Sequence, residues 1–192
     1  MQPVFYLFAG INGAGKTSLY QVVSEMVELG ERVSIDDIAR DLGDWRDPAL
    51  QIRASREALR RGFRCIDEGR TFNQETTLPG AVLLRQLAMA KEKGFTVVLY
   101  YLGVETVELA IARVKSRVAR GGHGIPEQLI RRRHASMPGA LRKVLPLCDL
   151  AFFYDNTDMF RQIALFESGE PVDLDTLVPD WFFDIAGDNA AL

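Results

Sequence analysis

One segment, Gly10 to Thr17, constrains the fold more than any other part of the chain. It matches the pattern G-x-x-x-x-G-K-[ST], with an apolar run from Val4 to Ala9 before it and a helical pattern after it. Glycines in this context let successive N–H groups face an anion at the start of a helix. The segment therefore predicts a nucleoside triphosphate site. The alternative is a glycine-rich turn that only caps an ordinary helix.

The pattern also assigns roles to individual residues. Lys16 is expected to face solvent and to reach the β- and γ-phosphates of ATP, and the Thr17 hydroxyl is expected to ligate Mg²⁺. The remaining residues of the predicted phosphate-binding segment are Asn12, Gly13, Ala14, Gly15 and Ser18.

Length and composition favour one domain over residues 1–192, with a core at 3–157 and an extension at 158–192. A net charge of −3 argues against general binding to nucleic acids or membrane surfaces. No apolar run approaches the roughly 20 residues of a membrane span, and no export signal is visible. We therefore expect a cytoplasmic protein in which Cys65 and Cys148 are reduced thiols.

Five predicted strands alternate with helices, which indicates an α/β fold with a mainly parallel five-stranded sheet and helices on both faces. A small C-terminal hairpin is predicted around 168–171, and a turn and a frayed end are expected at 78–80 and 187–192. Predicted helices include 16–29 and one from Glu127 towards Pro138, followed by a short helical piece at 141–147. The predicted strands are 4–9, 32–35, 71–77, 95–102 and 149–154.

Three carboxylates follow strands at the edge where open α/β sheets place their ligands. Asp36 and Asp37 come after the second strand, and Glu75 ends an unusually polar third strand that continues into Thr76 and Thr77. For Asp36 we weigh a catalytic or substrate-binding role against helix capping, and we predict Asp37 as the N-cap of the next helix. Glu75 is a candidate site residue or an edge-strand residue.

Basic residues concentrate in residues 113–133, which we call the arginine-rich lid. It contains seven basic residues and one acid, Glu127, so its net charge is +6 in a chain whose net charge is −3. Around a glycine-rich loop, this charge is typical of a segment that closes over phosphates. A second basic stripe is either a solvated helix face or a surface for an anionic substrate or acidic partner; it comprises Arg53, Arg56, Arg60 and Arg64.

Five motifs together resemble the zeta-toxin family of P-loop kinases, in particular a short, stand-alone bacterial branch, over residues 3–157. The E-T-T-L and G-G-H-x-I-P elements are the specific ones. The motifs are N-G-A-G-K-T at 12–17, D-D-I-A at 36–39, E-T-T-L at 75–78, G-G-H-G-I-P at 121–126 with R-R at 132–133, and Y-D-N at 154–156.

The resemblance implies an ATP- and Mg²⁺-dependent kinase that phosphorylates a sugar hydroxyl of UDP-N-acetylglucosamine, with an antitoxin protein as a possible partner. Asp36 then receives the hydroxyl proton. The first lid arginine maps to Arg113 or Arg117. Family members carry the second near His123, which leaves Arg120 or Arg132 for that role here. The remaining implied ligand contacts are Glu75, Thr76, Thr77 and His123 for the substrate and Asn156 for the nucleotide.

Two other functions are compatible with the same residues. The first is a kinase of another small hydroxyl compound, such as a nucleoside or an antibiotic. The second is a nucleotide-regulated interaction module whose basic stripe docks an acidic partner. The presence of two carboxylates, Asp36 and Glu75, at the ligand-binding edge favours the kinases.

Overall fold

The structure is a computed structural model that describes residues 2–44, 47–78 and 80–186. Its elements in chain order are β1 (Val4–Ala9), α1 (Lys16–Ser24), β2 (Glu31–Val33), α2 (Ile35–Leu42), α3 (Pro48–Asp67), β3 (Phe72–Thr76), α4 (Ala81–Glu92), β4 (Thr96–Gly103), α5 (Val107–Ala119), α6 (Glu127–Val144), a 3₁₀ turn (Leu145–Leu147), β5 (Leu150–Asp155), β6 (Arg161–Glu167), β7 (Glu170–Leu174) and α7 (Asp180–Ala186). The predicted turn at 78–80 lies partly, and the predicted frayed end at 187–192 wholly, outside the described residues.

The seven strands form one sheet in the order β2-β3-β1-β4-β5-β6-β7. The first five are parallel, whereas β6 pairs antiparallel with β5 and β7 pairs antiparallel with β6. The predicted α/β class and mainly parallel sheet are confirmed. The predicted count of five strands is wrong, because the C-terminal hairpin joins the sheet edge instead of standing apart from it.

The turn of the C-terminal hairpin lies within the predicted region 168–171, at Ser168 and Gly169. Ser168 and Gly169 both have positive φ, 51° and 87°, and they connect the paired residues Glu167 and Glu170. Positive φ at both central residues gives the turn a twist that matches the flanking strands. The hairpin can therefore extend the twisted sheet beyond β5.

The register of the central strands places the P-loop beside the third strand. Phe8 pairs with Glu75 and Ala9 with Thr76, while Ala9 pairs with Tyr101 on the other side. Because these strands are parallel, their carboxyl ends meet at one edge of the sheet. The P-loop and the polar end of β3 consequently lie next to each other.

A layer of buried aromatic side chains holds the C-terminal helix against the sheet. The Trp181 indole packs on Gly103, where an added Cβ would lie 2.3 Å from the ring. Its Nε1 donates to Asp155 Oδ1 at 3.0 Å. Helix α7 thus closes the apolar core, which extends from Phe5 to Ile185.

Three helix boundaries differ from the sequence predictions. Helix α1 ends at Ser24 and not near Leu29. Helix α6 continues through Pro138, which lacks an N–H for the helical bond, because Ile130, Met137, Leu141 and Val144 bury one continuous face. The predicted separate helical piece at 141–147 is therefore the end of α6 and the 3₁₀ turn that follows it.

The cap of α2 is Ser34, not Asp37 as predicted. The Ser34 hydroxyl accepts a hydrogen bond from the backbone N–H of Asp37 at 3.2 Å. Asp36 and Asp37 both lie in the first turn, where carboxylates interact favourably with the positive end of the helix dipole. The Asp37 side chain is then available to pair with arginines.

Candidate functional site

The P-loop is shaped by glycines whose neighbours leave no room for a side chain. Gly13 and Gly15 have φ of 88° and 104°, in the left-handed region. A Cβ on Gly13 would lie 2.3 Å from the Ala110 carbonyl oxygen, and one on Gly15 would lie 2.5 Å from Asn156 Nδ2. The loop is thereby clamped between α5 and the end of β5, and it leads directly into the N-terminus of α1.

Asn156 and Arg113 connect the P-loop to the end of β5. The Asn156 Nδ2 donates to the carbonyl oxygen of Ala14 at 2.7 Å. The Arg113 guanidinium donates to the carbonyl oxygens of Asn156 and Thr157 at 2.7 and 2.8 Å. Both residues were predicted as nucleotide-binding. In the structure Arg113 holds the 156–157 backbone, and Asn156 ties the end of β5 to the P-loop.

Lys16 was predicted to face solvent, but its side chain is half buried. Its ammonium donates to the carbonyl oxygens of Gly10 and Ile11 at 3.0 and 3.2 Å. Burial lowers the pKa of Lys16 to about 8; the charges of Glu75 and Asp36 oppose this shift, whereas those of Arg133 and Arg117 add to it. Lys16 therefore lies among two carboxylates and two guanidinium groups.

The Thr17 hydroxyl lies against the Glu75 carboxylate, at 3.1 Å from Oε1 and 3.2 Å from Oε2. A hydroxyl and a carboxylate oxygen are hard donors of the kind that Mg²⁺ prefers, and Mg²⁺ is commonly bound by one or two such groups together with phosphates. These residues fit a magnesium ion held beside a nucleotide. Among the described residues there is no cluster of three or more His, Cys, Asp or Glu side chains that could bind a metal by itself.

Asp36 is exposed on the first turn of α2 and faces the same group of charges. Its carboxylate acts on three cationic or titratable groups, Lys16, His123 and Arg133, and opposes the burial that lowers the pKa of each. Asp36 thus lies among the charged groups around Lys16, and its catalytic or substrate-binding role stays a prediction. The pairing of Asp37 with Arg32 and Arg40 separates the roles of the two adjacent acids.

Arg117 is a lid arginine whose charge acts on the groups around Lys16, together with that of Arg133. Its charge lowers the pKa of both Lys16 and His123. Its Nε and Nη2 atoms are buried and have no hydrogen-bond partner within the described part of the chain. Buried guanidinium nitrogens are normally satisfied, so this pair fits an anionic ligand such as a phosphate group.

The other lid residues divide between the site and the surface. His123 is half buried, and burial, with Arg117, lowers its pKa. Arg120 is exposed and donates from Nε to the Ser116 carbonyl oxygen at 3.3 Å, and Arg132 is exposed on α6. Among the remaining predicted residues, Ser18 is exposed, Thr77 is half buried, and the Thr76 hydroxyl accepts from the Leu78 N–H at 3.0 Å.

Arg133, which was absent from the predicted site residues, does reach the P-loop. It is half buried, and its Nη1 donates to Asn12 Oδ1 at 2.6 Å. Its position in the helix could have indicated this contact. Arg133 falls three residues after Ile130 and four before Met137, on the buried face of α6.

The basic stripe of α3 lines a groove whose lining residues include none of the P-loop. Three of its arginines line this groove between α2 and α3, together with Ile38 and Leu42. Arg60 is paired with Glu57, and Arg64 lies 3.6 Å from Glu31. The three groove-lining arginines of the stripe are Arg53, Arg56 and Arg60.

Together, the fold and the site define an α/β protein with a P-loop at the carboxyl edge of a mostly parallel sheet. No protein-family model matches the sequence. The chain is 33% identical over 134 residues to an uncharacterized protein of Haemophilus influenzae, an alignment that covers 70% of this chain and 94% of that protein. The chain belongs to the same family as this protein.

Solved structures share the fold at lower identity. The AvrRxo1-ORF1:AvrRxo1-ORF2 complex with ATP contains a chain that matches with a TM-score of 0.71 and 15% identity, over 96% of this chain and 64% of that one. A chain of the PezAT toxin–antitoxin system of Streptococcus pneumoniae matches with a TM-score of 0.62 and 16% identity, over 96% of this chain and 78% of that one. A putative kinase from Chloroflexus aurantiacus matches with a TM-score of 0.56 and 19% identity, over 69% of this chain and 80% of that one. The chain thus spans 64% of the length of the matched chain in the AvrRxo1 complex.

Among the described residues, no helix combines the length and the apolar character needed to cross a membrane.

Proposed function

We propose that this protein is an ATP- and Mg²⁺-dependent cytoplasmic kinase that transfers the γ-phosphate to a hydroxyl group of a small acceptor. The acceptor we propose is a sugar nucleotide such as UDP-N-acetylglucosamine. The observation that carries the proposal is the convergence of Lys16, Asp36 and Arg117 at the P-loop. These three charges come from three different elements, and they correspond to the three tasks of phosphoryl transfer, which are binding, orientation and charge stabilisation.

In this mechanism Lys16 and the P-loop N–H groups bind the phosphates. Asp36 orients the acceptor hydroxyl and takes its proton as the oxygen bonds to the γ-phosphorus and the bond to the bridging oxygen of ADP breaks. Arg117 binds the equatorial oxygens of the transferring group, where a buried guanidinium is most effective. Thr17, with Glu75 against it, would hold Mg²⁺. When bound, the ion would neutralise charge on the β- and γ-phosphates.

Similarity of fold supports the kinase class and a protein partner. One similar chain comes from a complex with ATP and another from a toxin–antitoxin system. The roles that we propose for the remaining residues follow the family resemblance. Arg113 and Asn156 would support the nucleotide, and Glu75, Thr76, Thr77, His123 and Arg132 the acceptor. An antitoxin-like protein partner is part of the same proposal.

The acceptor is tested by incubating the purified protein with ATP, MgCl₂ and UDP-N-acetylglucosamine and by analysing the products by mass spectrometry. We expect a product with one additional phosphate, which is absent when the Asp36→Asn variant replaces the wild type. If wild type that binds ATP leaves UDP-N-acetylglucosamine unchanged, the proposed sugar-nucleotide acceptor is wrong. The kinase class is then tested with other hydroxyl compounds.

The pKa of Lys16 predicts how ATP binding depends on pH. With a pKa of about 8, Lys16 loses its proton as the pH rises through 8, and the neutral amine no longer attracts phosphate. We expect ATP affinity to be constant below this pH and to fall above it by up to about tenfold per pH unit. Calorimetric titrations across this range measure the effect. Lys16→Arg keeps its charge and should remove the dependence, and a wild-type affinity that is flat across the same range would contradict the prediction.

The lid arginines should differ in their kinetic effects. Arg117→Ala is expected to lower kcat by about 10²–10³-fold with a smaller rise in KM for ATP, because its contacts form mainly in the transition state. Arg120 was a candidate for the second lid arginine, but it is exposed in the structure, so we expect Arg120→Ala to change kcat much less. Steady-state kinetics of both variants measure this. If the two variants lose the same activity, or only KM changes, the assignment of Arg117 is incorrect.

A further inference from the structure

Arg32 is the residue around which the polar groups beside the P-loop are organised, and no motif in the sequence assigns it a role. It lies on β2, and its side chain is 21% exposed. Its guanidinium carbon lies 3.7 Å from the ring centroid of Tyr20 on α1, so the charge is stacked on an aromatic face. Burial opposes the positive charge, but hydrogen bonds to Glu75 and Asp37 outweigh it and raise the pKa of Arg32.

The guanidinium nitrogens of Arg32 reach two carboxylates on different elements. Nη2 donates to Glu75 Oε1 at the end of β3, and Nε donates to Asp37 Oδ2 on α2 at 2.9 Å. The side-chain amide of Asn73 lies at 3.5 Å from Nη1, and its own Nδ2 donates to the Leu29 carbonyl oxygen at 3.2 Å. Arg32 thus joins β2, β3 and the first turn of α2.

The two carboxylates that Arg32 holds each lead to a predicted site residue. The Glu75 carboxylate also accepts from the Thr17 hydroxyl, so its position sets where that hydroxyl lies. Asp37 is the direct neighbour of Asp36 in the first turn of α2. A planar guanidinium with a fixed fork of donors is suited to holding two such groups at once, whereas an ammonium group is not.

We propose that Arg32 is a positioning residue that fixes the Glu75 carboxylate against the Thr17 hydroxyl and thereby shapes the magnesium-binding side of the P-loop. It acts through Glu75 and does not touch the nucleotide. This inference rests on the proposed function. Removing a residue that hydrogen-bonds to a metal ligand typically lowers metal affinity by about 10–100-fold.

The test measures ATP affinity by calorimetry, first in excess MgCl₂ and then in EDTA. The affinity in MgCl₂ divided by the affinity in EDTA gives the effect of Mg²⁺. Arg32→Met keeps most of the side-chain volume and should reduce this ratio by about tenfold. Arg40→Met is the matched control, because Arg40 also pairs with Asp37, at 3.0 Å, but has no bond to Glu75. It should retain the wild-type ratio.

A double variant shows whether Arg32 acts through Glu75. In a Glu75→Gln background, Arg32→Met should lower the ratio little further, because the group that it positions has lost its charge. Additive losses would contradict the proposal. If Arg32→Met fails to fold, Arg32→Lys decides, since it keeps the charge but cannot donate to both carboxylates in the same way; it should lower the ratio, and a full wild-type ratio overturns the proposal.

The outcomes separate this inference from the function that it rests on. A wild type that binds ATP, together with a folded Arg32→Met variant with the same Mg²⁺ effect, overturns only the role of Arg32. A wild type that binds no ATP overturns the proposed function, and the role of Arg32 with it.

Discussion

Replacing Lys16 with alanine is expected to abolish phosphoryl transfer and to weaken ATP binding by at least about 100-fold. The reason is that a charge held in a partly buried, preorganised loop stabilises phosphate oxygens far more than a charge in water does. The fold should persist, since the hydrogen bonds of the ammonium to described residues go to the carbonyl oxygens of Gly10 and Ile11, which belong to the same loop. Calorimetric ATP binding and thermal unfolding measure the two effects.

The control for this variant is Lys93→Ala. Lys93 pairs with Asp67 on the surface at 2.9 Å, and such pairs contribute about 1 kcal/mol or less. It should leave ATP affinity unchanged. Near-wild-type turnover in Lys16→Ala would show that the P-loop assignment is incorrect.

The second large effect is expected at Asp36. Orienting the attacking hydroxyl and accepting its proton is worth about 10²–10⁴ in rate, so Asp36→Asn should lower kcat by at least about 100-fold. Because Asp36 is exposed and α2 is capped by Ser34, the melting temperature should change little. Steady-state kinetics and thermal unfolding are the measurements.

The neighbouring carboxylate provides the comparison. Asp37→Asn should lower stability by about 1 kcal/mol or less, because it weakens half-exposed ion pairs with Arg32 and Arg40, and should lower kcat less than tenfold. The structure changes the reason for this expectation, since Asp37 is an arginine partner and not a helix cap. If Asp37→Asn loses the larger share of kcat, the catalytic role belongs to Asp37.

Strands β1 and β4 and the P-loop were predictable because local sequence determines them. The second strand was predicted at 32–35, but β2 ends at Val33 because Ser34 caps α2 and Ile35 begins that helix. The continuous apolar runs of β1 and β4 are typical of strands buried on both faces, and the glycines of the P-loop occupy backbone conformations that few other residues adopt. The polar β3 was also informative. Its Asn73 and Glu75 are polar where a central strand is usually apolar, and both contact Arg32.

The missed features depend on contacts between distant residues. The pairing of β6 with β5 adds the hairpin to the sheet, and no local pattern shows which edge a hairpin will join. Arg32 looks like an ordinary charged residue in the sequence, and Arg133 is one of several basic residues in the lid. Their roles arise only when α6 approaches Asn12 and when β2 lies beside β3.

The measurement that tests the central claim most directly is a transfer assay with [γ-³²P]ATP, MgCl₂ and a small-metabolite extract, run in parallel with wild type, Asp36→Asn and Asp37→Asn. The proposed kinase should label a small hydroxyl-bearing metabolite with wild type and Asp37→Asn, and the label should disappear with Asp36→Asn. If only inorganic phosphate is released slowly and no metabolite is labelled, the protein is not a small-molecule kinase, and a nucleotide-regulated interaction module would explain its P-loop instead.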